Sequence, residues 1–225
     1  MDKTRMIETF CELVKIPSVA PNDKEFIAYM EQLLQKEGAK TVKDTFGNLV
    51  ASFAAKNSSS TEYVAFGCHA DTVNPGINIE PVIDNGVIRS NGETILGADD
   101  KAGIAMVLEM LRSAKKHPPV EFILTRCEEL GIEGSSKLDY SLIKSKMAYV
   151  LDHETVDEVV IGAPTKFAFY VDYKGDSAHA SEPENGVSAV VPAAIAISKL
   201  TLGTIVKSFL ICSSSFSVKA DFNIP

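Results

Sequence analysis

Cysteine is scarce in this sequence and is not arranged in motifs. Cys11, Cys68, Cys127 and Cys212 are scattered with no Cys-x-x-Cys pair, which argues against a zinc finger or a disulfide framework and makes them reduced thiols. Long apolar runs are missing as well. The longest uncharged apolar stretch, residues 185–198, is 14 residues long and contains Pro192, short of the roughly 20 that a bilayer span needs. No membrane helix is expected. Positive charge is in deficit, with 22 Lys and Arg against 30 Asp and Glu and a formal net charge of -8. With no basic block, attraction to nucleic acid or an anionic membrane is disfavoured, and the acidic surplus suits cations instead. The first 18 residues lack the apolar core and small-residue cleavage site of an export signal, so a cytoplasmic location is expected. Gly92, Gly97 and Gly103 are not followed by the Lys-Ser/Thr of a phosphate loop, which disfavours nucleotide binding.

A chain of 225 residues has room for one full core and a smaller appendage. Apolar positions recur at helical spacing over residues 4–15, where Pro17 stops the pattern, and again after Asn22-Asp23 as far as Gly38. Short β-type runs follow at 40–44, 48–54 and 63–68. Residues 82–89, with Asp84-Asn85-Gly86 at their centre, read as a hairpin. The spacing then predicts a helix over 101–116, a strand over 120–125, a helix over 135–142 and a strand over 147–151. This alternation favours an α/β domain: a mostly parallel sheet flanked by helices, with ligands gathered at the carboxyl ends of the strands. After Gly162-Ala163-Pro164 a new strand is expected at 166–173 and an apolar helix at 187–200. The expected division is a domain of residues 1–162 and the start of a smaller α+β domain at 163–225.

Four acidic or histidine clusters fall at the ends of the predicted strands: His69-Ala-Asp71, Asp99-Asp100, Glu128-Glu129 and Asp152-His153-Glu154. In extended chain, residues two apart face the same way, so His69 and Asp71 can look into one site. Several carboxylates in one cleft repel each other unless cations neutralise them, and an aspartate can bridge two ions about 3.5–4 Å apart, as in two-metal hydrolases. Each residue also has an ordinary structural use. Asp99 and Asp100 precede a helix, where Asp100 is expected to cap while Asp99 takes metal. Glu128 and Glu129 could form a solvated loop pair. Cys68 and Cys127 fit buried small residues, His117 an exposed one, and His153 a neighbour of the site.

The run GCHADT, then NGETILGADDKAGIA, then EEL and AYVLD, resembles the peptidase T-like di-zinc aminopeptidases over residues 1 to about 203. The resemblance implies two zinc ions, with cobalt or manganese as alternatives. It assigns His69 and Asp152 to one ion, Glu129 to the other and Asp99 to both, with Asp71 as the carboxylate behind the ligands. Glu128 matches the general base that takes a proton from water and hands it to the leaving amine. The segment from Tyr173 to Ala180 resembles the first strand and turn of a lid that also makes a homodimer, and there His179 would touch the substrate. The expected substrate is a short peptide with a free amino terminus.

The sequence departs from that family near its end. After the lid, family members return to the catalytic domain and supply a last histidine ligand, which is not found here, and residues 204–225 no longer resemble the lid. An incomplete form, whose second ion lacks a ligand, is therefore expected. Two other readings stand beside the tripeptidase: an N-acyl amino acid deacylase of the same clan, and an inactive remnant that still binds a metal.

Overall fold

The structure is a computed structural model that describes residues 1–153, 155, 157–162, 169–199 and 216–223. Asp2 starts α1 (Lys3–Lys15) by accepting the Arg5 N–H at 3.2 Å, and the helix buries Phe10, Leu13 and Val14 on one face. Helix α2 (Lys24–Lys36) buries Phe26, Ile27, Met30 and Leu34 at the same three-and-four spacing. Gly38 terminates it with φ of +94°, a conformation that residues with a Cβ rarely adopt.

Four strands and a hairpin partner come next: β1 (Lys40–Lys43), β2 (Leu49–Phe53), β3 (Val64–His69), and the separate ribbon β4 (Pro81–Asp84) with β5 (Val87–Ser90). Helix α3 (Ala98–Ser113), β6 (Val120–Thr125), the single turn α4 (Glu133–Ser136) and β7 (Ala148–Val150) complete the larger unit. The main sheet runs β1-β2-β6-β3-β7. Strand β3 pairs parallel with both β6 and β7, while β1, β2 and β6 pair antiparallel. The sheet is thus mixed, and its parallel part carries the expected functional clusters. Residues Val120, Glu121, Phe122, Ile123 and Leu124 of β6 are all buried, as expected of a central strand covered on both faces.

One face of the sheet packs under α1, α2 and α3, in a core that includes Leu13, Phe26, Leu49, Ile104, Leu108, Phe122 and Leu124. Each such side chain contributes roughly 1.5–3 kcal/mol by leaving water. A smaller cluster of Val50, Ala65, Ile123 and Leu138 occupies the other face. Among the described residues, no helix is long and apolar enough to cross a membrane, and Cys11, Cys68 and Cys127 are free thiols. Cys212 lies outside the described residues.

Three expectations need correction. The helix read over 135–142 is α4 plus a 3-10 turn, Tyr140–Leu142, because Asp139 leaves helical geometry and accepts the Ser141 N–H. Helix α3 starts earlier and stops earlier than 101–116, and Asp99 and Asp100 sit within it off helical φ/ψ. His117 is half-buried rather than exposed, since its main chain pairs with Lys56 and its Nδ1 lies 2.7 Å from the Pro118 carbonyl oxygen.

The chain divides into two compact units, Met1–Val156 and Asp157–Pro225, a few residues before the boundary expected at 163. In the second unit, β8 (Phe169–Asp176) pairs in parallel with β9 (Phe216–Asn223), and α5 (Val190–Lys199) lies in the crossover. The first part of the strand expected at 166–173 and Leu200 lie outside the described residues.

Candidate metal centre

Because β3, β6 and β7 run parallel, their carboxyl ends meet along one edge of the sheet. His69 ends β3 and Asp71 follows two residues later. Glu128 and Glu129 follow β6, Asp152 follows β7, and Asp99 enters from the start of α3. One ligand atom each from His69, Glu128 and Glu129 lie within 4.8 Å of one another, as do one each from His69, Asp99 and Asp152. His69 is common to both groups, the place that the family resemblance gives to Asp99.

The two histidine nitrogens face acceptors. Nδ1 lies 2.9 Å from the Asp71 carbonyl oxygen and 3.7 Å from Asp71 Oδ1, and Nε2 lies 2.9 Å from Asp99 Oδ1. Burial alone would lower the His69 pKa, but hydrogen bonds to Asp71 and Asp99 and the charge of Asp152 overcome it and raise the value to about 10. The surrounding carboxylates thus favour positive charge at this point. A divalent cation meets the same demand: one imidazole surrounded by Asp and Glu oxygens is a donor set suited to zinc, and also to cobalt or manganese.

The acids respond to their crowding. Burial pushes the Glu128, Glu129 and Asp152 carboxyls above their ordinary range; His69 opposes the rise and neighbouring acids add to it. Asp71 behaves oppositely. Burial would raise it, yet the nearby His69 ring and the N–H groups of Glu128 and Glu129 hold it below its usual value. Those N–H groups donate to Asp71 Oδ1 at 2.9 Å and to Oδ2 at 3.0 Å. Each oxygen of the Asp71 carboxylate thus accepts one N–H of the glutamate loop, and its main-chain oxygen meets the histidine.

Asp99 and Asp100 part company. The Asp99 side chain is 71% exposed toward the cluster, whereas Asp100 is buried with its Oδ2 lacking a hydrogen-bond partner. Asp100 was expected to cap the helix, but it is tucked beneath the site against Cys68. Burial raises its pKa to about 7, and the same environment raises Cys68 well above the thiol range. Cys68 and Cys127 are both buried, as expected. His153 is exposed at the end of β7, with Nδ1 accepting the Thr155 N–H at 3.2 Å. His179 lies in the second unit, exposed, with Nδ1 2.7 Å from Ser181 Oγ.

Sequence reasoning passed over three buried polar residues near the loop: Asp23, Asn48 and Arg126. Arg126 donates to Asp23 through Nε at 2.7 Å and through Nη2, and its main-chain N–H donates to Asn48 Oδ1 at 3.0 Å. Asp23 had been legible only as a helix start. An arginine two residues before the glutamate pair was the one signal of a buried partner.

The family model described as peptidase family M28 matches residues 48–183, more than half of the chain, and every expected site residue falls inside that span. The chain belongs to this metallopeptidase family. Among curated proteins it is 36% identical over 219 residues to the uncharacterised protein YqjE of Bacillus subtilis strain 168, covering 91% of this chain and 58% of that protein. Among solved structures it resembles a tripeptidase from Staphylococcus aureus, with 31% identity and a TM-score of 0.72 over 92% of this chain and 59% of that one. It also resembles aminopeptidase PepT from Bacillus cereus ATCC 10987, with 33% identity and a TM-score of 0.68 over the same shares. These likenesses agree with the peptidase T-like resemblance of the sequence motifs. The chain spans about three-fifths of the length of the relatives it matches.

Proposed function

We propose that this chain carries the catalytic half of a cytoplasmic, metal-dependent exopeptidase that cleaves the N-terminal peptide bond of short peptides. The observation that carries this reading is the meeting of His69, Glu128, Glu129 and Asp152, at the carboxyl ends of adjacent parallel strands, with Asp99 from the start of α3. In this reading His69, Asp99 and Asp152 would hold one zinc ion, and Glu129 together with Asp99 would hold a second. Such ions polarise a scissile carbonyl and make water more acidic, work equally open to cobalt or manganese.

The chain's own residues do the rest. Asp71 receives the His69 ring through its main-chain oxygen and fixes Glu128 and Glu129 through their N–H groups, so the histidine and both glutamates share one anchor. Glu128, whose carboxyl burial raises, is assigned the general base that takes a proton from the attacking water and passes it to the leaving amine. His179 and the second unit supply substrate contacts and a lid through which a homodimer forms.

The test is uptake and turnover by the 225-residue chain and by a version extended to the length of its relatives. Each is titrated with Zn²⁺, Co²⁺ and Mn²⁺, then assayed on tripeptides beside N-acetyl amino acids. Tripeptide cleavage that needs metal supports the proposal. Preference for N-acetyl amino acids would replace it with a deacylase, and failure of both forms to bind any of the three ions would overturn it.

A further inference from the structure

The β6 ladder ends at Thr125, yet the next four main-chain N–H groups are all held by buried side-chain oxygens. Arg126 N–H donates to Asn48 Oδ1 at 3.0 Å, and Cys127 N–H to Asp23 Oδ2 at 3.3 Å. Glu128 N–H and Glu129 N–H then go to the two oxygens of Asp71. Asn48, Asp23 and Asp71 are each 0% exposed and come from three separate elements: the start of β2, the start of α2 and the end of β3. The clamp bends the chain sharply. Cys127 has φ of +55°, a left-handed conformation unfavourable for a residue with a Cβ, and it persists only where the surroundings fix it.

We propose that Asp23 and Arg126 are positioning residues that aim the Glu128 and Glu129 carboxylates into the metal centre by clamping the main chain between β6 and those glutamates. The inference rests on the metallopeptidase reading above. Asp23 divides its work between two oxygens: Oδ1 receives the Arg126 guanidinium and Oδ2 receives the Cys127 N–H. The guanidinium is itself locked, since Nη1 donates to the Phe46 carbonyl at 2.9 Å and Nη2 to the Pro21 carbonyl at 3.1 Å. Arg126 also explains why a fully buried carboxylate is tolerated behind an acidic site. Its hydrogen bonds and charge oppose the rise that burial imposes on the Asp23 carboxyl, so part of the cost of burying Asp23 is offset. Asn48 completes the cradle, because its Nδ2 donates to the Gly134 carbonyl at 3.0 Å and ties the far end of the loop to the same point.

The test pairs hydrogen exchange with metal affinity in the 225-residue chain. Removing one member leaves a buried charge unpaired, so the main variant is the double Asp23→Asn with Arg126→Met; Asp23→Asn alone is the second, since its amide cannot accept from both the guanidinium and Cys127 N–H. In the double variant, exchange over residues 126–130 should accelerate about tenfold or more while α1 and α3 keep their protection. Zn²⁺ affinity, read by competition with a chromophoric chelator, should fall roughly 10- to 100-fold. Unchanged exchange and affinity in a folded variant would overturn the proposal. So would loss of protection spread across α2 and the sheet, or failure of both variants to fold, since either marks a merely structural pair. If the unsubstituted chain takes up no Zn²⁺, affinity is read in the version extended to the length of its relatives; if that version also binds none of Zn²⁺, Co²⁺ and Mn²⁺, the metallopeptidase reading fails and the exchange pattern alone decides whether the clamp exists.

Discussion

His69 Nε2 lies 2.9 Å from Asp99 Oδ1, joining the end of β3 to the start of α3 at the centre of the acidic cluster. Asp99 reaches this place from an exposed position, while its neighbour Asp100 is buried beneath. The contact sets the Asp99 carboxylate against the imidazole that both groups of candidate ligands share.

Asp99→Asn is expected to lower bound metal and activity together, because the carboxamide keeps one acceptor but loses the charge that offsets a cation. Metal content after dialysis, measured by atomic emission, checks this. Asp99→Asn protein that keeps its metal while Asp100→Asn loses it would reverse the choice between the neighbours.

Glu128→Gln should behave differently. A general base supplies proton transfer, so the rate should fall about 10²- to 10⁴-fold with metal content nearly unchanged. Assay and metal analysis on the same extended preparation decide, and loss of all bound metal in this variant would assign Glu128 to coordination.

Gly134 has no room for a side chain. A Cβ there would run into the Arg126 carbonyl oxygen and stand 2.6 Å from the Arg126 nitrogen, both main-chain atoms that cannot swing away. Gly134→Ala is expected to cost about 1–3 kcal/mol of stability and to weaken metal binding by shifting the loop that bears Glu128 and Glu129. Urea unfolding and Zn²⁺ titration measure the two effects, and a neutral result on both would mean that the loop adapts freely.

Acid should weaken the attachment of α1 to α3. Glu109, buried in α3, accepts from Arg5 Nε at 2.7 Å, from Arg5 Nη2 at 2.9 Å and from the Asp2 N–H at 2.6 Å. The Arg5 hydrogen bond chiefly, with those of Asp2 and Ser113, holds its carboxyl down to about 2 against an ordinary 4.5. A depressed carboxyl stabilises the fold fully above its unfolded pKa and loses that contribution as pH falls through its folded one. The stability gap between the natural chain and Glu109→Gln should therefore be largest above pH 4.5 and close toward pH 2. Thermal unfolding across that window reads it, and a gap independent of pH would assign the effect of Glu109 to packing.

Much of the molecule was readable in the sequence by itself. Helical spacing marked α1, α2 and the apolar face of α3, and the continuous apolar run of β6 marked a central strand. His69, Asp71, Glu128, Glu129 and Asp152 stood out because charged residues at the ends of apolar strands have few structural uses there, and Asp99 because it lies in the motif run that resembles the family's. These signals are local: periodicity and strand ends depend on neighbours in the chain. Tertiary structure decided what depends on partners distant in sequence. Asp99 and Asp100 are the same residue type side by side, and only the packing against Cys68 buries one and leaves the other facing His69. Asp23, Asn48 and Arg126 are each unremarkable in the sequence, because a buried polar group gains its meaning from the partner that satisfies it, and those partners lie 78 and 103 positions apart. The helix expected over 135–142 is broken at Asp139, whose side chain accepts the Ser141 N–H in place of a helical bond. Local pattern fixed where the acids stand along the chain, and the parallel pairing of β3 with β6 and β7 brought them to one place, because side-by-side parallel strands carry all their carboxyl ends to the same edge.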